Sequence, residues 1–162
     1  MRKIFSLVLM LLMFAGFSVC HATISADRLN AGGIYVGKSI SEVVSIYGQP
    51  TSKFKEDGND NLQDTYIWEN GKIGLTVMFF KGIAYDIRVS NGISTSDGIH
   101  AGMSVSDVKR VLGTPDKETE PNKAYRMRQV LDYRDSTKVN GILFVIENGV
   151  VNYYEIFGKR VN

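Results

Sequence analysis

Serine and histidine side chains are the first to test for chemistry in this chain, because a serine nucleophile needs a positioned histidine base. Of the two histidines, His21 lies in the N-terminal segment, so His100 is the one left for the rest of the chain. His100 takes the place of Tyr35 in a repeated segment, which favours a structural or solvent-facing role. The recurring serines have no base within a recognisable motif; they are Ser39, Ser41, Ser104 and Ser106. The sequence therefore predicts a protein that is not an enzyme.

Metal and cofactor sites are not predicted either. The chain has a single cysteine, Cys20, and no paired histidines or His-Glu-x-x-His spacing, so it lacks the usual ligand sets for transition metals. The segment 57–64 holds three aspartates and two asparagines around Gly58, as a calcium loop does, but it has no glutamate at the required spacing. We interpret this segment, and the matching segment 117–123, as polar loops.

The first 22 residues show the three zones of a secretory signal peptide. Two basic residues precede an apolar run over 4–17, and Ala22 offers a small side chain at the cleavage position. We therefore expect export, to the periplasm or out of the cell. A lipid anchor on Cys20 is the rival interpretation, and Val19 disfavours it because lipoprotein signals carry a small residue there.

The charge balance excludes some classes of partner. Without residues 1–22 the chain has 17 basic and 17 acidic side chains, because the two basic residues of that segment are lost. A net charge near zero gives no long-range attraction to nucleic acid or to an anionic membrane. No later segment is apolar enough to span a bilayer. About 140 residues suffice for one hydrophobic core or for two small fused ones.

Two segments of the chain are similar to each other. Residues 34–50 align without gaps on residues 99–115, and seven of the seventeen positions are identical. Each segment predicts a short helix with a serine N-cap, an acidic residue three positions later, a glycine C-cap and a proline that prevents continuation. These residues are Ser39, Glu42, Gly48 and Pro50 in the first copy and Ser104, Asp107, Gly113 and Pro115 in the second. The similarity indicates a duplicated unit.

Each predicted helix is followed by strands. Alternating apolar residues flank Lys81-Gly82 and Asn148-Gly149, which predicts a hairpin at each turn, and a further strand is predicted at 65–69 and at 124–134. The expected fold class is α+β, with two tandem repeats, each a short capped helix packed on an antiparallel sheet of three to four strands. The predicted domains are the signal peptide over 1–22 and the two repeats over 23–92 and 93–162.

This pattern resembles a known family. The order Ile-x-x-Gly-(Lys/Met)-Ser-x-x-(Glu/Asp)-Val, Gly-x-Pro, a strand with Tyr or Trp, and a hairpin with Lys-Gly or Asn-Gly resembles the SmpA/OmlA family of outer-membrane assembly lipoproteins. In tandem, over 34–157, it is similar to the β-lactamase inhibitory protein family. The resemblance implies a protein-binding or envelope-assembly role rather than catalysis. It does not carry over β-lactamase inhibition, because the contact loops do not match residue by residue.

The hairpin faces that point away from the helices are not simply polar, as one solvated face of a sheet would be. They carry Met78, Phe80 and Ala84 in the first copy and Leu143, Val145, Val151 and Tyr153 in the second. Two explanations stay open. Either two sheets bury these residues against each other or against loops, or the residues line a partly exposed surface for a protein partner.

Residues 125–134 predict a strand with two different faces. Alternation places Tyr125, Met127, Leu131 and Tyr133 on one side and Arg126, Arg128, Asp132 and Arg134 on the other. Three arginines on one face would bind an acidic partner or a carboxylate-bearing wall polymer, and a solvated face with local ion pairs is the alternative. The candidate partner-binding residues are Trp68, Met78, Phe80, Arg126, Arg128, Arg134 and Tyr153, with Trp68 expected in the core unless it proves exposed.

These observations lead to two hypotheses. The first is an exported protein that works by protein contact, as an envelope-assembly accessory or an inhibitor, without a cofactor. The second is a protein that binds a small ligand or a cell-wall fragment in a groove between the repeats.

Overall fold

The structure is a computed structural model that describes residues 23–55, 63–124 and 126–160. The predicted signal peptide, with Cys20, lies outside these ranges, as do Tyr125 and most of the segment 57–64. Within the described ranges the chain forms two α-helices, one short 3-10 helix and eight β-strands. The α+β class is therefore confirmed.

The elements follow one another with short connections. The 3-10 helix is Ala26–Arg28, and the α-helices are α1 (Ile40–Tyr47) and α2 (Val105–Leu112). The strands are β1 (Ser52–Lys55), β2 (Gln63–Glu69), β3 (Gly74–Phe80), β4 (Ile83–Asn91), β5 (Lys117–Glu118), β6 (Gln129–Arg134), β7 (Gly141–Glu147) and β8 (Val150–Phe157). The sequence did not predict β1 or β5, and β5 occupies the start of the segment 117–123 that was expected to be a loop.

Both α-helices begin at the predicted caps. The Ser39 hydroxyl accepts a hydrogen bond from the Glu42 amide at 3.3 Å, and the Glu42 carboxylate accepts one from the Ser39 amide at 2.8 Å. These two bonds form a complete capping box. In α2 the Ser104 hydroxyl accepts from the Asp107 amide at 3.2 Å. The helix α1 ends at Gly48, whose φ of +76° strongly favours glycine.

Each helix is attached to the sheet at both ends by matching hydrogen bonds. At the C-terminal ends, the Trp68 indole N–H donates to the Gly48 carbonyl at 3.0 Å, and the Tyr133 hydroxyl donates to the Gly113 carbonyl at 3.1 Å. At the N-terminal ends, the first helical amides donate to the hairpin turns. The pairs are Ile40 to Gly82 at 3.1 Å and Val105 to Gly149 at 3.2 Å. The turn and the second strand of each half thus fix the position of its helix.

The eight strands form a single antiparallel sheet in the order β1-β2-β3-β4-β8-β7-β6-β5. The sequence led us to expect a separate sheet for each half. The two halves join because β4 pairs with β8, with Ile87 opposite Ile156 and Val89 opposite Tyr154. Without this pairing, both strands would be edges with unsatisfied backbone groups. The pairing therefore turns two small sheets into one wide one.

The core lies between the helices and one face of this sheet. Val43 of α1 and Val108 of α2 are fully buried. The strands contribute alternate residues: Tyr66, Trp68, Leu75, Val77, Phe79, Ala84, Ile87, Val89, Leu131, Tyr133, Ile142, Phe144, Ile146, Val151, Tyr154 and Ile156. Burying side chains of this size contributes about 1.5–3 kcal/mol each before the loss of conformational entropy is counted.

A bulge in each hairpin corrects the predicted alternation. The register shifts so that Phe79 lies opposite Ala84, and Ile146 lies opposite Val151. The sequence placed Ala84 and Val151 on the far side of the sheet, and this is wrong: both are buried in the core. The reason is one extra residue in the second strand of each hairpin, β4 and β8. The extra residue moves the side chains on one side of it to the opposite face of the sheet. In β4 that residue is Tyr85.

The hydrogen bond from Tyr133 gives a test of the helix attachment. Tyr133→Phe keeps the buried ring but removes the donor to the Gly113 carbonyl, so the free energy of unfolding should fall by about 1 kcal/mol in urea denaturation. Tyr35→Phe, at an exposed tyrosine, is the matched control and should change this quantity by less than about 0.5 kcal/mol. Equal effects of the two substitutions would show that the bond does not hold α2 in place.

Candidate functional site

The side of the sheet away from the helices, which we call the open face, is formed by the side chains that alternate with the core. Strand register arranges them in rows across the sheet. One row runs Arg134, Gly141, Phe157, Asp86, Met78, Thr65 and Phe54. The next runs Asp132, Leu143, Glu155, Arg88, Thr76 and Ile67, and a shorter row runs Val130, Val145 and Tyr153. The open face therefore mixes apolar, aromatic and charged side chains.

The single sheet excludes one of the arrangements offered for the apolar residues of this face, in which two sheets bury them against each other. Two sheets cannot cover each other here, because β4 and β8 join them edge to edge. Val145 is 2 % exposed, but Met78, Leu143 and Tyr153 are only half-buried, and Phe54 at the end of its row is 59 % exposed. The open face is therefore neither fully covered nor fully exposed.

A stacked pair, Arg134 on Phe157, occupies one end of the longest row. The guanidinium lies 4.3 Å from the ring centroid, and Gly141 stands between the two residues in the register. A Cβ on Gly141 would lie 2.8 Å from the Phe157 ring and 2.5 Å from the Tyr133 carbonyl oxygen. The glycine therefore allows this arginine to lie across the strand and stack on the ring.

Tyr153 lies between two arginines. The Arg88 guanidinium is 5.1 Å from the centroid of its ring, and an Arg128 N–H donates to its hydroxyl at 3.0 Å. At the opposite side of the face Arg160 makes a similar arrangement, with its guanidinium 4.6 Å from the Tyr85 ring and an N–H donating to the Tyr85 hydroxyl at 3.2 Å. Arginine on tyrosine is thus a recurring contact of the open face.

Three arginines on or beside this face are paired with carboxylates. Arg134 donates to both oxygens of Asp132 at 2.8 and 2.9 Å. Arg88 donates to Glu155 at 3.1 and 3.3 Å. Arg126 lies 3.7 Å from Glu147. Arg128 and Arg160 have no such carboxylate partner among the residues that the structure describes. Lys117, which the register places opposite Asp132 on this face, likewise has no ion pair in the described part of the chain. Arg128, Arg160 and Lys117 thus carry positive charge that no described carboxylate pairs.

Asp86 is a carboxyl group of the open face with an unusual environment. Its Oδ1 is buried without a hydrogen-bond partner in the described part of the chain. Burial is the main cause that raises the pKa of Asp86, to about 8, and the neighbouring Glu155 carboxylate raises it further, while Arg88 opposes the shift. Asp86 thus keeps its proton at neutral pH, and Arg88 forms an ion pair with Glu155.

The structure brings together five of the seven predicted partner-binding residues. Met78, Phe80, Arg128, Arg134 and Tyr153 lie on the open face. Trp68 lies in the core at 4 % exposure and cannot meet a partner there. Arg126 lies at the margin of the face, with a side chain that is 80 % exposed.

The prediction of one strand face with three arginines is wrong. The strand β6 starts at Gln129, and Arg126 and Met127 have φ of +50° and +55° in the turn before it. A left-handed backbone cannot continue a strand, so the alternation extrapolated back from Arg134 does not hold at Arg126. Arg128 precedes β6 and lies on the open face as predicted, where it contacts Tyr153.

Several residues of the site were not predicted. Asp86, Arg88, Glu155, Phe157 and Arg160 were not among the candidates, although all of them contact the predicted residues or each other. The signal was present in the sequence for two of them, since Asp86 and Arg88 alternate with Ile87 and Val89 in an otherwise apolar strand. Charges at this spacing indicate one accessible strand face.

The groups considered first for catalysis have other roles. Ser39 and Ser104 cap the helices as predicted, and His100 is exposed, with its Nδ1 2.8 Å from the Ala101 carbonyl oxygen. In the described ranges no three histidine, cysteine, aspartate or glutamate side chains are grouped as metal ligands. The helices of those same ranges are all too short or too polar to cross a bilayer.

Comparison with known proteins gives the fold and not a family. No family model matches the chain, and no curated protein matches it either. The resemblance to the SmpA/OmlA repeat therefore stays a prediction.

Three solved structures are similar. A cysteine-rich secretory protein from Staphylococcus aureus has a TM-score of 0.58 at 11 % identity over 87 % of this chain and 49 % of its own. A Bacillus anthracis extracellular protein that contains an SCP domain has a TM-score of 0.51 at 6 % identity, over 76 % of this chain and 44 % of its own. The chain thus spans about half the length of these two proteins. A candidate β-lactamase inhibitor protein from Streptococcus mutans has a TM-score of 0.36 at 19 % identity, over 74 % of this chain and 82 % of its own. This TM-score is too low to support an inference.

The raised pKa of Asp86 predicts how stability depends on pH. Between 3.8, the ordinary pKa of aspartate, and about 8, folded Asp86 holds a proton that the unfolded chain has released. Stabilisation by this proton is complete below that window and falls as the pH rises through it. In denaturation series from pH 4 to 9, the unfolding free energy of the wild type should therefore fall relative to that of Asp86→Asn. Parallel curves would contradict the burial of this carboxyl.

Proposed function

We propose that this protein is an exported, non-enzymatic protein-binding module whose partner docks on the open face. The observation that carries the proposal is the composition of that face, where half-buried aromatic and apolar residues are interleaved with arginines. Tyrosine and arginine dominate the energetically important residues of protein interfaces. Eight strands spaced about 4.8 Å apart also give a surface wide enough for the roughly 800 Å² per partner of a standard interface.

A repeated building unit supports this proposal. We infer that the chain is two copies of one helix-and-sheet unit, because the caps, the helix-to-turn bonds, the bulges and the aromatic bonds to Gly48 and Gly113 recur in both halves. Each unit covers one side of its sheet with a helix and leaves the other side uncovered. Joining the units by β4 and β8 produces a continuous face that neither unit has alone.

Export is supported by the sequence of the first 22 residues, with the periplasm or the extracellular space as destination. The two structural neighbours with the higher TM-scores are described as a secretory and an extracellular protein, in agreement with this assignment. Envelope assembly and inhibition of another protein both operate by protein contact, so both fit the open face.

A ligand groove between the repeats has less support. At that junction β4 and β8 are adjacent hydrogen-bonded strands, so the sheet leaves no gap there. Arg88 and Glu155, which face each other across the junction, bond to one another.

Site-specific photocrosslinking tests the proposed function. Benzophenone side chains placed at Tyr153 on the open face, and at Ile46 on the exposed side of α1, should behave differently in the cells that produce the protein. Tyr153 should give a discrete crosslinked protein, and Ile46, which is 45 % exposed on the other side of the sheet, should give none. Crosslinking from Ile46 alone, or from neither position, would refute a partner on the open face.

A further inference from the structure

Arg128 and Arg160, which have no carboxylate partner among the residues that the structure describes, indicate what kind of partner the open face fits. The acidic side chains of β4, β6, β7 and β8 on this face are Asp86, Asp132, Glu147 and Glu155. The last three each bond to an arginine, and the raised pKa of Asp86 keeps it uncharged at neutral pH. The carboxyl groups of these strands are thus paired or protonated. Arg128, Arg160 and Lys117, which lies opposite Asp132, are the positive charges of this face without an ion pair among the described residues.

Both arginines are held in place for binding. Arg128 donates to the Tyr153 hydroxyl at 3.0 Å. Arg160 donates to the Tyr85 hydroxyl and to the Gln63 side chain, both at 3.2 Å. Each of these contacts uses one N–H of a guanidinium that has five, so donors remain for a carboxylate. An arginine already oriented by an aromatic ring loses less side-chain entropy when it binds.

The surroundings favour a polypeptide over a polysaccharide as the source of the carboxylates. Met78, Leu143 and Phe157 lie in the area of the sheet between the two arginines. They are half-buried and apolar, and they alternate with Asp86 and the Arg88–Glu155 pair. Such an area gains free energy by burying apolar side chains, which a wall polymer of uronic acids does not provide.

Resting on the proposed function, we propose that the partner is a protein segment that presents acidic side chains to Arg128 and Arg160, with apolar residues between them. Lys81, whose ammonium lies 5.5 Å from the Phe80 ring centroid, adds positive charge near Arg160. The docking is thus electrostatic at Arg128 and Arg160 and apolar at Met78, Leu143 and Phe157.

Titration with defined polymers tests this inference on the purified protein. In two-dimensional NMR, poly-L-glutamate should shift the signals of Arg128, Tyr153 and Tyr85 and leave those of α1 unchanged. Arg128→Gln and Arg160→Gln should each raise the dissociation constant about threefold, and the double variant about tenfold. Arg110→Gln on α2 is the matched control: it removes the same charge from the other side of the sheet, and it should have no comparable effect.

Three results would overturn the inference. The first is an effect of Arg110→Gln equal to that of the open-face variants, which would show binding by net charge alone. The second is binding of polygalacturonate as tight as that of poly-L-glutamate, which would indicate a wall polymer. The third is an absence of shifts on the open face. If Tyr153 still captures a protein by crosslinking in any of these cases, the proposed function stands and the acidic partner alone is rejected.

Discussion

The backbone pairing of β4 with β8 is the interaction on which the rest of the structure depends. It joins two small helix-covered sheets edge to edge, so that each half supplies the partner strand that the other half would otherwise lack. The same register sets Arg88 opposite Glu155 and Asp86 opposite Phe157. The charged centre of the open face is therefore a direct product of how the two halves meet.

Both α-helices pack on the same side of this sheet. Their ends are bonded to the hairpin turns and to the carbonyls that Trp68 and Tyr133 reach, so neither helix can turn to cover the other side without breaking these bonds. As a result, neither α-helix covers the open face. The arginine–tyrosine contacts use only part of the N–H donors of Arg128 and Arg160.

The parts of the fold that depend on local chemistry could be predicted from the sequence. Ser39 and Ser104 with their acidic partners specify the helix starts, and Asn148-Gly149 specifies a hairpin, because each effect acts within a few residues. The junction of β4 with β8 could not be predicted, since its strands are more than sixty residues apart and their alternation is compatible with two separate sheets. The bulge at Tyr85 and the left-handed turn at Arg126 also determine which residues reach the open face. Neither contains a glycine, the residue that usually indicates such a backbone conformation in a sequence.

The candidate site could likewise be predicted only in part from the sequence. Met78, Phe80 and Tyr153 could be predicted because alternation places apolar residues on a face where polar ones are expected. The Asp86–Glu155 pair and the contact of Arg160 with Tyr85 join residues from different halves or from the chain end, so they follow only from the assembled sheet. Sequence reasoning thus located the surface but not the electrostatics within it.

Hydroxyl-radical footprinting, compared between intact producing cells and the purified protein, tests most directly whether a protein covers the open face. We expect Tyr153 and Phe157 to be oxidised less in cells than after purification, and Ile46 on the helix side to be oxidised equally in both. Equal oxidation of Tyr153, Phe157 and Ile46 in the two settings would contradict this expectation.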